Sequence, residues 1–170
     1  GSGGPLRTTT PDRDLHPLCD PFVKAAEKTG LRFNPDFNGA DQEGVGYYQL
    51  TTRNGRRLSA ARAFLRPAMK RKNLRVETHA LVTRIVFDGP CATGVEYEKN
   101  GIRHTVTAGR EVILSGGAIN SAQLLQLSGV GPARLLQDHG VAVMHANANV
   151  GANLQDHVGI NYTWRMTVPT

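Results

Sequence analysis

Cysteine is scarce in this sequence, and long apolar runs are missing from it. The 170 residues contain two cysteines, Cys19 and Cys91, which are too few for a disulfide framework or a four-cysteine zinc site. No run of 18 apolar residues occurs, which argues against an ordinary transmembrane helix. We therefore expect a cytoplasmic protein in a reducing compartment, without a structural metal.

The first five residues, Gly-Ser-Gly-Gly-Pro, lack both a basic segment and an apolar segment, so we expect no signal peptide. They also lack an initiator methionine, which leads us to expect a natural start upstream. Hydrophobic residues make up 39% and charged residues 20% of the chain, a composition that can bury a core. The length corresponds to one average domain or to pieces of two.

Acidic residues are missing from residues 53–75, although the net charge of the whole chain is only +6. This stretch, which we call the basic segment, contains nine basic residues: Arg53, Arg56, Arg57, Arg62, Arg66, Lys70, Arg71, Lys72 and Arg75. Such an excess permits attraction to phosphate, nucleic acid or an anionic membrane surface. No nucleic-acid-binding motif and no interleaved aromatic residues accompany it, so we expect no nucleic-acid partner.

Within the basic segment, Arg62, Arg66 and Lys70 recur at every fourth position and predict one face of a helix. The opposite face carries Phe64, Ala68 and Met69. This pattern favours a helix whose basic face is solvated or contacts another domain. Weak contact with a membrane surface stays open as an alternative.

Turn and helix signals predict a mixed fold. The first helix is expected at 17–29, with Asp20 as N-cap or with a start one turn earlier at His16 and Pro17. A second, which Ser59 can cap, is expected at 59–65, followed at Pro67 by a kink or by a second short turn that ends near Asn73. Further helices are expected at 120–127 and 132–139. Strands are expected at 45–52, 74–78, 83–87, 93–98, 103–108, 111–114, 141–143 and 160–168. The Asn54-Gly55 pair predicts a hairpin. Asp88-Gly89 and Asn100-Gly101 predict turns that join three of the strands into an antiparallel meander.

The apolar run 111–114 ends in Ser115-Gly116-Gly117 and is followed by a predicted helix. A strand that passes through small residues into a helix is typical of nucleotide sites in open α/β sheets. A missing Cβ lets a ligand approach the backbone, and the helix N-terminus attracts negative charge. The same residues also suit an ordinary tight turn before a helix.

The sequence resembles the glucose–methanol–choline (GMC) family of flavin-dependent oxidoreductases. The strongest match is residues 117–131, GAINSAQLLQLSGVG, which is similar to the family's second signature except that Ala122 stands where proline is usual. Further matches, closest to the alcohol and choline dehydrogenase branch, are 36–39 (DFNG), 42–46 (QEGVG), 59–65 (SAARAFL) and 150–157 (VGANLQDH).

The resemblance implies an α/β (α+β) fold: part of a GMC-type FAD-binding domain with an antiparallel three-stranded meander, and part of a substrate-binding domain. We expect residues 1–58 in the substrate-binding domain, 59–157 in the FAD-binding domain, and 158–170 at the start of a substrate-domain strand. The resemblance also implies that the backbone of Val82 binds the flavin adenine and that Ser115, Gly116 and Gly117 lie beside the adenosine.

The activity implied is the oxidation of a small-molecule alcohol to an aldehyde or ketone, by hydride transfer to FAD, with oxygen or a quinone-like compound as electron acceptor. The family's Gly-x-Gly-x-x-Gly segment and its catalytic histidine segment are not found in this sequence. We therefore expect an internal fragment, inactive by itself, with no catalytic residue. A non-catalytic nucleotide-binding or interaction domain on the same scaffold is the alternative.

The histidines are not expected to take part in catalysis or metal binding. His157 follows Asp156 directly, but neighbouring residues in a loop need not share a hydrogen bond, and we expect His157 to organise its loop near the flavin. The other histidines, at positions 16, 79, 104, 139 and 145, lack metal-ligand spacing.

Overall fold

The computed structural model describes residues 3–11 and 15–165. The chain forms two compact units: one extends to Val76 and includes residues from Thr163 onward, and the other runs from Glu77 to Tyr162. The sequence placed domain boundaries after residues 58 and 157. The division into a substrate-binding and an FAD-binding part stays a prediction.

The first unit contains helix α1, Cys19–Lys28, which ends before Gly30 at a φ of +98°. The prediction that Asp20 caps this helix was wrong, because Leu18 is the N-cap residue and Asp20 lies in the first turn. A turn in which Cys19 N–H donates to the His16 carbonyl (2.9 Å) starts the helix earlier. This arrangement leaves the Asp20 carboxylate to accept a hydrogen bond from the Tyr47 hydroxyl.

A loop organised by Asn34 follows. Asn34 is buried, and its amide donates to the carbonyls of Asp41 (2.9 Å) and Glu43 (3.1 Å). The predicted strand 45–52 was wrong for most of its length, since Val45 and Leu50 form only isolated bridges. The reason is that the Asn34 loop holds this segment: a Cβ on Gly46 would lie 2.2 Å from the Asn34 carbonyl oxygen.

The predicted Asn54-Gly55 hairpin is confirmed. Strands β1, Thr52–Arg53, and β2, Arg56–Arg57, pair antiparallel. The φ angles of Asn54 (52°) and Gly55 (68°) are both positive, as a type I′ turn requires.

The helix predicted at 59–65 forms as a π-helical turn, Ala61–Leu65, that passes into a short helix α2, Arg66–Ala68. Ser59 Oγ accepts a hydrogen bond from Arg62 N–H (3.3 Å) and so caps the turn as expected. Pro67 has no N–H group to continue the ladder, and the hydrogen-bonding pattern changes beside it.

The second unit contains the predicted meander. Strands β3, Leu81–Asp88, β4, Cys91–Lys99, and β5, Ile102–Thr107, form an antiparallel sheet in the order β3-β4-β5. Register shifts interrupt β3 between Val82 and Arg84 and again between Val86 and Phe87. Asn100 (φ 54°) and Gly101 (φ 75°) make the tight turn between β4 and β5.

The rest of this unit packs helices and short strands against the sheet. Helix α3, Gly117–Leu127, is followed by β6, Val130–Gly131, and α4, Ala133–Asp138. Strand β7, His145–Ala146, pairs parallel with β6. Ile85 and Leu136 are the buried hydrophobic residues of this unit among those described.

Four further predicted strands were wrong. Residues 74–78, 111–114, 141–143 and 160–165 form no strand; positions 166–168 of the last prediction lie outside the described residues. The runs carry apolar residues, but a strand also needs a neighbour to complete its ladder of hydrogen bonds. Among the described residues none pairs with them. No helix in the described part of the chain is long and apolar enough to cross a membrane.

Candidate active site: the cofactor cleft

A cleft of about 770 Å³ lies in the second unit. One wall is the start of β3, a second is the middle of β4 with the end of β5, and a third is segment 111–116 with one side of α3. Its lining includes Val82, Gly94, Val106, Ser115, Gly116 and Leu124. Within residues 3–11 and 15–165, Glu111 is the only acidic or basic residue that lines this cleft, so its described surroundings are mainly apolar.

The structure brings three of the four predicted cofactor residues to this cleft. Val82 lines it from β3, and Ser115 and Gly116 line it from the turn before α3. Gly117, the first residue of α3, is not among the lining residues; its φ of +86° turns the chain into the helix. The expected shared cleft between Val82 and the Gly116 turn is therefore present.

Gly116 is held in place by α3. Its N–H donates to Ser121 Oγ (3.1 Å), and a Cβ at this position would lie 3.3 Å from Asn120 Cβ and 3.4 Å from Ser121 Oγ. The backbone therefore lies close to the helix, and a side chain here would crowd it. No side chain in the described part of the chain caps the N-terminus of α3, which leaves its first N–H groups to other partners.

Sequence reasoning missed the wall formed by β4 and β5. At Gly94 a Cβ would lie 2.3 Å from the carbonyl oxygen of Val106, so only glycine allows the two strands to approach so closely here. An isolated glycine inside a strand is a known sign of close backbone approach. That signal was present in the sequence, but it does not say which cleft the strand lines.

The Asp156–His157 pair makes a contact through the backbone of His157, and the role of His157 in its loop stays a prediction. The Asp156 carboxylate accepts a hydrogen bond from the His157 backbone N–H (2.7 Å), and both residues are exposed. The ring of His104, another of the histidines, stacks on Tyr97 with 5.0 Å between centroids. Within residues 3–11 and 15–165, no three His, Cys, Asp or Glu side chains are placed to hold a metal ion.

Comparison with known proteins identifies the family to which this fold belongs. The family model for GMC oxidoreductases matches residues 2–159. The chain belongs to the GMC oxidoreductase family. The N-terminal domain of this family binds FAD, as the sequence resemblance implied.

The relatives of this GMC chain are oxidoreductases. It is 47% identical over 169 residues to the mitochondrial choline dehydrogenase of Homo sapiens, covering 99% of this chain and 28% of the relative. It is 49% identical over 150 residues to alcohol dehydrogenase [acceptor] of Pseudomonas putida, covering 87% and 27%. The chain thus spans about 28% of the length of these curated relatives.

A solved structure supports the fold of this GMC chain. Pyridoxine 4-oxidase from Mesorbium loti superposes with a TM-score of 0.81 at 33% identity, covering 86% of this chain and 29% of that one. The mixed fold with its three-stranded antiparallel sheet is therefore that of a GMC enzyme, as predicted.

Proposed function

We propose that this chain supplies the wall around the adenosine end of FAD in an enzyme that oxidises an alcohol to an aldehyde or ketone. The observation that carries the proposal is the common cleft lined by Val82, Ser115 and Gly116. The relatives named as choline dehydrogenase and alcohol dehydrogenase support an alcohol, choline among them, as the substrate class.

The residues of the cleft suit a flat heterocycle with a sugar attached. Val82, Val106 and Leu124 offer apolar contact surface, which favours the burial of an aromatic ring. Gly94 and Gly116 line the cleft without side chains, and their missing Cβ atoms let β5 and α3 pack closely around it. The chain therefore fits the adenine and ribose of FAD better than a strongly charged ligand.

When bound, FAD would supply the hydride acceptor for oxidation of the alcohol, with oxygen or a quinone-like compound as the final electron acceptor. The residues of this chain orient the cofactor from its adenosine end and exclude water there. Among the described residues, Glu111 is the only ionisable side chain that lines the cleft, so the cleft offers no histidine to remove the hydroxyl proton of an alcohol. Proton transfer accordingly belongs to residues outside the cleft.

The test is flavin affinity in the full-length protein with Val82 replaced by tryptophan. Val82 is 38% exposed and faces the cleft, so Val82→Trp should fill space that adenine needs and weaken FAD binding by about tenfold or more. Val143→Trp is the matched control, because Val143 is 36% exposed and does not line the cleft. Equal FAD affinity in both variants would refute the proposal.

The proposal includes the expectation that the 170-residue chain alone is inactive. Dye reduction by this chain with added FAD and an alcohol would contradict it. The alternative, a non-catalytic nucleotide-binding or interaction domain, predicts a full-length protein that purifies without flavin absorbance.

A further inference from the structure

A second cleft, of about 580 Å³, lies in the first unit between the β1–β2 hairpin and the π-helical turn. We call it the arginine cleft. Seven residues line it: Arg53, Asn54, Arg56, Arg57, Leu58, Arg62 and Arg66. Five of the nine basic residues in the basic segment therefore lie around one concave site, and no acidic side chain of the described residues lines it.

The arginines around the cleft repel one another, although all five are exposed to solvent. Arg53 and Arg56 are direct partners across the hairpin, and like charges in such a position repel each other. Arg62 and Arg66 are four positions apart in a helical segment, which also places like charges side by side. Among the described ion pairs, none involves these five arginines. The repulsion is therefore not offset by acidic residues of the described chain.

The chemistry of the lining favours phosphate. A guanidinium group presents a planar fork of N–H donors that matches two phosphate oxygens, and it stays charged at every physiological pH. Leu58 is only 6% exposed, so the cleft has an apolar base that strengthens electrostatic attraction. A concave site of this volume suits a compact anion whose several phosphate oxygens can accept hydrogen bonds from different arginines.

We propose that the arginine cleft binds a phosphate-bearing ligand of the size of pyrophosphate or a phospholipid headgroup. Its lining residues all belong to the first unit, whereas those of the cofactor cleft, which we also call the flavin cleft, belong to the second. The two clefts therefore share no residue. The β1–β2 hairpin and the π-helical turn place the five arginines around one cleft. A solvated basic helix face, the simpler reading of the basic segment, places no such group of arginines around a cavity.

The test uses the flavin-loaded full-length protein and two probes. Inorganic pyrophosphate, followed by titration calorimetry, reports a free phosphate ligand. Sedimentation with phosphatidylcholine vesicles, with and without phosphatidic acid, reports a headgroup at a lipid surface. Binding of either probe, weakened by added salt, is expected, and the probe that binds identifies the source of the phosphate.

The variant Arg56→Gln/Arg62→Gln should weaken the binding of that probe by about tenfold or more, since each lost charge-assisted hydrogen bond is costly. Arg71→Gln/Lys72→Gln is the matched control: it removes the same two charges from the same basic segment, but neither residue lines the cleft, and we expect less than about a twofold change from it. If the double variant does not fold, Arg53→Gln provides the same test with one substitution.

Two results would overturn the proposal: neither probe binds, or Arg71→Gln/Lys72→Gln weakens binding as much as the cleft variant. The visible absorbance of the flavin is measured in the same samples. A protein that binds pyrophosphate or vesicles through the arginine cleft but fails to bind FAD would refute the proposed function and leave this site standing.

Discussion

At the scale of single residues, Ser128 joins the helical layer to the sheet. Ser128 is 8% exposed; its Oγ accepts a hydrogen bond from the Ile85 N–H (2.8 Å) and donates to the Leu124 carbonyl (2.6 Å). Ile85 lies on β3, an edge strand of its sheet, and is 5% exposed. The serine therefore satisfies a buried donor that no neighbouring strand reaches.

Replacing Ser128 with alanine should leave the Ile85 N–H buried without an acceptor and lower the free energy of unfolding by about 1–3 kcal/mol. Hydrogen–deuterium exchange checks this directly, because the Ile85 amide should lose protection. Ser115→Ala, at an exposed position, is the control and should change stability by less than about 0.5 kcal/mol. Unchanged protection of Ile85 in Ser128→Ala would contradict this account.

The hydrogen bond between Tyr47 and Asp20 makes the stability of the folded chain depend on pH. The hydrogen bond from its hydroxyl to the Asp20 carboxylate, reinforced by desolvation and by the negative charge of Asp20, raises the pKa of Tyr47 to about 12. This bond favours the protonated phenol in the folded state. Its stabilising effect is therefore present below the ordinary tyrosine pKa of about 10 and is lost as the pH rises through about 12.

Asp20→Asn should return the pKa of Tyr47 towards 10, because the acceptor loses its charge. A pH titration followed by the ultraviolet absorbance of phenolate measures the pKa of Tyr47. The signal that is missing in Tyr47→Phe is the one that belongs to Tyr47. Asp36→Asn is the control, since Asp36 binds the backbone of Asn38 and not a tyrosine. A titration that Asp20→Asn leaves unchanged would show that the pair does not form in solution.

At the scale of elements, the turns decide where the sheet strands begin and end. Gly101 has a φ of +75° with no atom close to where a Cβ would stand, so a substitution there meets backbone strain alone. Gly101→Ala should lower the free energy of unfolding by about 1 kcal/mol, measured by denaturant unfolding.

Gly109→Ala is the matched control for Gly101→Ala. Gly109 also has open space around the Cβ position, but its φ is not in the left-handed region. We expect it to be neutral or slightly stabilising, because alanine restricts the unfolded chain. Equal destabilisation by both substitutions would show that left-handed strain is not the cause.

The elements that the sequence predicted well have local signals. Asn54-Gly55 and Asn100-Gly101 predicted tight turns, and alternation predicted β3, β4 and β5 to within about two residues at each end. The failed strands at 74–78 and 111–114 also show strand-like residues. Whether such a run becomes a strand depends on a partner elsewhere, which a local pattern does not reveal.

The sequence predicted only the parts of the candidate site that have a local signal. The small residues before α3 are a local signal, and the family resemblance added Val82, so their common cleft was expected. The wall at Gly94 and Val106 depends on how two strands pack, and the arginine cleft depends on how a hairpin meets a π-helical turn. Spacing in the sequence shows neither arrangement.

At the scale of the whole molecule, much apolar surface is exposed. Among the described residues only five hydrophobic side chains are buried: Val23, Leu58, Ala63, Ile85 and Leu136. Beside the flavin cleft, Ile113 is 75% and Val106 is 52% exposed. Because the chain spans about 28% of its relatives' length, we propose that other parts of a longer protein, together with FAD, cover this surface.

The most direct test of the central claim is hydrogen–deuterium exchange of the full-length protein with and without bound FAD. If the cleft holds the adenosine end of the cofactor, amides around Val82 and around Ser115–Gly116 become protected together when FAD binds, while those of the α1 helix, in the other unit, do not change. Unchanged exchange at both cleft segments in protein saturated with FAD would contradict the account.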